Sequence, residues 1–299
     1  MRKVLVVADT TGWAFDKIYR GLRFNCEDWL PDVLYLHNQR PVNFDEYDLI
    51  LYLCDNFPEP LIHWVNKGLN KDKVLLAVRS DVKHPLYYRA ELLDQVCKCM
   101  VCSNYKLFER FVQLHPMARV AEGGVDTDKF SFKQRTYDGK SGMRVGWAGN
   151  VGEWGRAFRG LDIIQDAVDY FGRWMKFTPA LRDDKWRTEE EMVEYYHNDI
   201  DIYIEMSESA GRQNGLIEAG SCGVPCISYD CGIASDLFDG TNGELIKKRN
   251  KDDLIFSIKQ VLGNYNDYSI NIRETIEKRW SWKVHAKKFE KIFEEVLYD

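Results

Sequence analysis

Residues 201–229 read DIYIEMSESAGRQNGLIEAGSCGVPCISY. Residues 201–205 alternate polar and apolar, the pattern of a strand. A polar loop follows at Ser207, Glu208, Ser209, Ala210 and Gly211. Leu216, Ile217, Ala219 and Gly220 then supply one apolar face, which predicts a helix over about 212–222. Gly223 stands where a left-handed C-cap belongs, Pro225 follows it, and Cys226-Ile227-Ser228 opens the next strand. A strand, a helix and a second strand in this order form a crossover unit of an α/β domain.

The start of that helix is the chemically informative part. The first N–H groups of a helix have no intrahelical partner, and the helix dipole adds partial positive charge there. Gly211 and Gly215 are expected to keep the approach open to a bulky ligand. An anion fits such a site, and a phosphate fits it best. Glu218 lies about one turn beyond Asn214, so both face the same ligand. A carboxylate beside a phosphate repels it unless the carboxylate accepts hydrogen bonds from hydroxyls. The pairing therefore points to a nucleotide that carries its sugar.

The stretch AGRQNGLIEAGSCGVPCIS resembles the donor-site motif of glycosyltransferase family 4 and related GT-B enzymes. In that family two Glu residues separated by seven others precede Ala, small residues, Gly-x-Pro and a strand. Glu218 matches the second Glu, which the resemblance assigns to the nucleotide ribose. The resemblance places Gly211, Arg212, Gln213, Asn214, Gly215 and Leu216 around the diphosphate and sugar. The first Glu is replaced by Ala210, and Glu208, two residues away, is the candidate substitute. The resemblance implies an α/β fold of two facing Rossmann-like domains with parallel sheets and a C-terminal helix that crosses back to the first domain.

Composition agrees with two ordinary domains: 299 residues, of which 45% are hydrophobic, suffice for two cores. The net charge of −6 gives no electrostatic case for nucleic acid. No apolar run reaches membrane-spanning length, and MRKVLVVADT is too short for a signal peptide, so a cytoplasmic location is expected. The eight cysteines sit mostly in apolar patterns, as expected of reduced thiols. Cys97, Cys99 and Cys102 read as buried small residues; strand alternation sends Cys97 and Cys99 to one face and Cys102 to the other.

Working outward, residues 3–8 (KVLVVA) predict a strand buried on both faces. Gly12 lies in the loop at its carboxyl end, where the family often has a glycine-rich loop facing the sugars. Strands are expected at 33–36, 49–53, 74–78 and 100–102, with helices at about 13–24, 59–68, 86–97 and 104–113. The loop AVRSDVKHPLYYR follows the fourth strand. Family members carry His-Asp or a single His at this level, near the anomeric carbon. Asp81 matches the Asp, Ser80 replaces the His, and His84 follows; Arg79, Asp81 or His84 is expected to touch sugar or acceptor.

Residues 122–142 are Gly-rich and polar, which predicts domains at 1–135 and 142–282, with 283–299 as the returning helix. Glu122-Gly123-Gly124-Val125-Asp126 and Phe130 resemble a family segment that ends the first domain. A second sheet starts at 143–150. The family grips the diphosphate with an Arg and a Lys in the next loop. Asn150 occupies the first position and Arg159 the second, with Arg156 as a further cation; a guanidinium holds two phosphate oxygens at once. RTEEEMVEYYH predicts an acidic helix solvated on one side. Asp199-Ile200-Asp201 reads as a strand entry, and no metal site is expected. Trp280 and Trp282 read as packing anchors at the C-terminal crossover.

The resemblance implies a hexosyltransferase-type glycosyltransferase that uses a nucleotide sugar such as a UDP- or GDP-sugar, without a cofactor. The acceptor, a glycan, lipid-linked or small molecule, is not legible. The family's reaction retains the anomeric configuration, while Asp81 as general base leaves an inverting route open. Ala210 also suits a degenerate, non-catalytic binding subunit. A nucleotide-sugar epimerase of the same fold would need acid/base residues around the sugar ring that are not evident.

Overall fold

The computed structural model describes residues 1–38, 40–79, 90–152 and 155–298, with the side chains of 90–92 excluded. The chain divides into two compact units, Met1–Gly124 with Trp282–Asp299, and Val125–Ser281.

Among the described residues, the first unit holds six strands: β1 (Arg2–Ala8), β2 (Trp29–Tyr35), β3 (Leu49–Tyr52), β4 (Val74–Val78), β5 (Cys99–Cys102) and β6 (Ala118–Val120). They form one sheet in the order β2-β1-β3-β4-β5-β6, and every pairing is parallel. Its helices are α1 (Ala14–Asn25), α2 (Glu59–Asn66), α3 (Ala90–Val96), α4 (Tyr105–Phe111) and the C-terminal helix, Trp282–Tyr298. Alternate residues of β1 enter two different cores. Leu5 and Val7 pack on one face, and Val4 and Val6 on the other. This is why KVLVVA is apolar throughout. Strand β2 begins four residues earlier than expected, at Trp29, and includes Pro31. A proline is tolerated there because β2 is an edge strand.

The C-terminal helix covers one face of this sheet with Phe289, Ile292, Phe293 and Val296. Glu290 Oε1 accepts the N–H groups of Glu27 and Asp28, both at 2.8 Å, and Glu294 Oε1 accepts Trp29 Nε1 at 2.9 Å. Gly21 of α1 lets Trp282 pass: a Cβ there would overlap the indole ring.

The second unit holds β7 (Met143–Gly146), β8 (Ala148–Gly149), β9 (Met175–Phe177), β10 (Ala180–Leu181), β11 (Ile202–Glu205), β12 (Cys226–Tyr229) and β13 (Glu244–Ile246). Among the described residues its main sheet runs β13-β12-β11-β7-β9, all parallel, and β10 pairs with β8 in a short extension. Its helices are α5 (Gly155–Arg159), α6 (Leu161–Tyr170), α7 (Glu189–Glu194), α8 (Asn214–Ser221), α9 (Ala234–Leu237), α10 (Lys251–Gly263) and α11 (Tyr265–Thr275).

Residues 125–135, placed by composition with the first domain, pack in the second unit. Val125 and Phe130 belong to its core, and Phe130 O accepts Ser221 Oγ at 2.6 Å and Arg273 Nη1 at 2.9 Å. A Gly-rich polar segment reads as a linker in sequence; two apolar anchors decide where it packs. Trp280 is buried in the second unit and Trp282 in the first. The shared face expected for Cys97 and Cys99 is not observed. β5 starts only at Cys99, so Cys97 lies outside the alternation and packs in the core of Cys102. The Asp201 carboxylate binds Arg144 Nε and Nη2, each at 2.9 Å. No helix among the described residues is long and apolar enough to cross a membrane.

Candidate functional site

Helix α8 starts at Asn214, two residues later than its apolar pattern suggests, because Gln213 serves as its N-cap. Gln213 O accepts the Leu216 N–H at 3.0 Å, which closes the first turn. The Gln213 side chain is turned inward, where Nε2 donates to Ser228 Oγ at 3.0 Å and reaches Cys231 Sγ at 3.3 Å. Gln213 Oε1 and Asn214 Oδ1 are buried with no hydrogen-bond partner among the described residues. Both are acceptors, so they gain from a ligand that donates, such as a sugar hydroxyl, whereas the first amides of the helix gain from one that accepts.

Glu218 lies one turn further along and is only 5% exposed. Its Oε2 accepts the Tyr196 hydroxyl at 3.2 Å. Tyr196 is fully buried in a π-helical turn, Tyr195–Asp199, that continues α7. The acidic helix expected to be solvated on one side runs on into two buried tyrosines, Tyr195 and Tyr196. Such turns recur at functional sites. Nothing in the local pattern marked Tyr196 as the support of Glu218.

Gly215 has a different role from the one expected. A Cβ there would overlap the hydroxyl of Tyr203, a fully buried residue of β11. The glycine makes room for the sheet beneath the helix, so openness to a ligand is not its structural requirement. Leu216 does not fit the role expected of it: its side chain belongs to the core of the unit and its N–H is already spent on Gln213 O. Gly211 lies under a second turn: a Cβ on Gly232, where φ is +54°, would crowd Gly211 O. Arg212, half-buried, occupies the same loop.

The candidate cations Arg156 and Arg159 both lie on α5. Arg159 Nε donates to Asn150 O at 3.1 Å, so these two candidates are brought together. Arg156 turns to Asp162, with Nε 3.2 Å from Oδ1, on the exposed side. Gly160, with φ +71°, starts α6 directly on Met206; only glycine fits, since a Cβ would overlap Met206 O. Glu208 is exposed, and its N–H donates to Phe158 O at 2.9 Å, tying the loop after β11 to α5.

Two residues of this region escaped the sequence. Arg249 clamps the same junction: Nε donates to Met206 O at 2.7 Å and Nη2 to Phe158 O at 3.0 Å. Glu205 ends β11 buried, where Oε1 accepts Ser207 N–H at 2.9 Å, Ser207 Oγ at 2.6 Å and Trp147 Nε1 at 3.4 Å. Burial raises the Glu205 carboxyl above its ordinary value, while the Ser207 hydrogen bonds and the nearby Arg159 charge oppose that rise. A polar residue ending an alternating strand is the one signal that pointed to Glu205; Arg249 sits in a polar turn with none.

Gly12 belongs to the first unit, in a left-handed turn at φ +80°. Its N–H donates to Asp16 Oδ2 at 2.9 Å, and Asp16 also accepts Tyr35 OH at 2.5 Å and Arg20 Nε at 3.1 Å. Asp81 and His84 lie outside the described residues.

Residues 173–264 match the family model described as Glycosyl transferases group 1. An uncharacterised glycosyltransferase of Methanocaldococcus jannaschii is 30% identical over 103 residues, which span 32% of this chain and 26% of that protein. Among solved structures, a glycosyltransferase from Rickettsia africae superposes with a TM-score of 0.74 at 12% identity, covering 100% of this chain and 99% of that one. A sucrose-phosphate synthase from Thermosynechococcus elongatus gives 0.71 at 12% identity, covering 99% of each chain. Anabaena HepE, solved in complex with UDP-glucose, gives 0.69 at 13% identity, covering 99% of this chain and 100% of that one. The chain thus has the GT-B fold of glycosyltransferases and, through its second unit, resembles glycosyl transferases group 1.

Proposed function

We propose that the protein transfers a hexosyl group from a nucleotide sugar to an acceptor hydroxyl, without a metal and with retention of configuration. The observation that carries this reading is the pairing at α8: a helix start at Gln213–Asn214, whose first amides have no partner within the helix, and one turn later a buried carboxylate held by Tyr196. The helix start suits the diphosphate and Glu218 suits the ribose hydroxyls. Arg159, and Arg156 once released from Asp162, add positive charge as the sugar–phosphate bond breaks and its electron pair moves to the diphosphate. The acceptor oxygen bonds the anomeric carbon and its proton leaves on a diphosphate oxygen; in an inverting route Asp81 would take it. Glu208 is the candidate for holding the sugar hydroxyls in place of the Glu replaced by Ala210. A uridine diphosphate sugar is the first donor to test, since the HepE structure contains UDP-glucose.

Thermal shift against a panel of nucleotide sugars, followed by assay of released nucleotide and the anomer of the product, tests the reading. Stabilisation by one donor, turnover and a retained anomer are expected. Ala210 supports a second reading, a donor-binding subunit without turnover. Stabilisation with no nucleotide release for any donor–acceptor pair would favour it, and no stabilisation by any nucleotide sugar would sink both.

A further inference from the structure

The carboxyl-terminal edge of the first unit's sheet gathers charges that the donor site does not use. Asp55 follows β3, Arg79 follows β4 directly, Ser103 follows β5 and Glu122 follows β6. The backbone of Arg79 is pinned on both sides: its N–H donates to Asp55 Oδ2 at 2.8 Å, and its carbonyl accepts Ser103 Oγ at 3.4 Å. Its side chain is not. Nε, Nη1 and Nη2 are all shut off from solvent and have no hydrogen-bond partner among the described residues. A guanidinium carries five N–H donors, and leaving them all unmet in the interior is costly.

The neighbouring carboxylates do not answer that need. Glu122 is occupied by Lys288, with Nζ at 3.1 and 3.4 Å from its two oxygens, and lies 3.4 Å from His285 Nδ1. Asp55 spends Oδ2 on a backbone N–H, and burial pushes its carboxyl up to about 7, so near neutrality it cancels the guanidinium only in part. Burial likewise pushes Arg79 down to about 10, against the pull of Asp55, Cys102 and Glu122. Desolvated charge at the ligand-binding edge of a doubly wound sheet is the pattern of a site built for an occupant.

We infer that Arg79 holds an oxyanion, a phosphate or a carboxylate, at the carboxyl edge of the first unit's sheet, and that on the glycosyl-transfer reading this group belongs to the acceptor. The planar fork of a guanidinium matches two oxygens of either group. A neutral sugar meets fewer of the five donors and leaves the buried charge unopposed.

The test is calorimetric titration of the full chain with glucose, glucose 6-phosphate, glucuronate and inorganic phosphate, on the wild type, Arg79→Met and Arg79→Lys. The two charged sugars should bind more tightly than glucose, and whichever is tighter names the oxyanion. Arg79→Met should weaken that binding about tenfold or more, while Arg79→Lys keeps part of it. The melting temperature of unliganded Arg79→Met should hold or rise, because an apolar chain replaces a buried charge with unmet donors. The inference is overturned if glucose binds as well as its charged derivatives, if Arg79→Met binds them as the wild type does, or if Arg79→Met lowers the unliganded melting temperature by several degrees. Nucleotide-sugar binding by the same variants reports on the donor reading separately: its absence alongside Arg79-dependent oxyanion binding would remove the acceptor assignment and leave the site.

Discussion

Glu218 is a buried acceptor whose geometry is fixed from behind. Tyr196 donates to one carboxylate oxygen and comes from a turn more than twenty positions earlier in the chain. Glu218→Ala is predicted to weaken nucleotide binding about tenfold or more in calorimetry, the cost of losing hydrogen bonds to a charged group. Tyr196→Phe should cost about 1 kcal/mol of stability and a smaller part of the affinity. An unchanged affinity in Glu218→Ala would mean that its carboxylate does not hold the ribose. Gly215 carries a second prediction at this scale. In an open helix Gly→Ala stabilises, but here the new methyl would strike the Tyr203 hydroxyl. Gly215→Ala is therefore predicted to lower stability by about 1–3 kcal/mol in urea melts, and adding Tyr203→Phe should restore part of it. Full activity and stability in Gly215→Ala alone would contradict that packing.

Among elements, the informative ones are those whose ends are held by distant residues. The loop after β11 is joined to α5 twice, by the Glu208 N–H and by Arg249. The candidate diphosphate cations thus sit on a short helix that cannot shift without moving the loop leading into α8. The C-terminal helix is locked in the same manner, through Glu290 and Glu294 and through Trp282 over Gly21. Gly21→Ala is predicted to cost about 1–3 kcal/mol, since the indole cannot move without disturbing a packed face. Its signature should be amide exchange that speeds up in both α1 and the C-terminal helix; a change confined to α1 would count against the contact.

For the whole molecule, pH sensitivity follows from carboxyls buried at the edges of the two sheets. Burial holds Asp55 at about 7 against an ordinary 3.8, with the Arg79 charge and backbone N–H groups opposing the rise. Between those values the folded protein keeps a proton that the unfolded chain has released. Stability from this group is therefore complete at low pH and lost as pH rises through about 7. Glu205 is raised too and acts in the same direction. Urea midpoints should fall from about pH 5 to about pH 8, and Asp55→Asn should flatten that fall. A midpoint that climbs over this range in the wild type would overturn the assignment.

Much of this was legible in the linear chain. The alternation of buried strands and helices followed from KVLVVA and the runs after it, because periodicity is a local property. The helix start near Gln213 and the place of Glu218 one turn on were equally local, because hydrogen bonding along a single helix creates them. Residues 125–135 joined the second unit against their composition, because Val125 and Phe130 found a core there. Tertiary structure alone decided that Gly215 yields to Tyr203, that Tyr196 steadies Glu218 and that the Arg79 guanidinium is sealed off without a hydrogen-bond partner among the described residues. The first two join residues far apart in sequence, and burial of the third depends on everything packed around it; no local pattern encodes either.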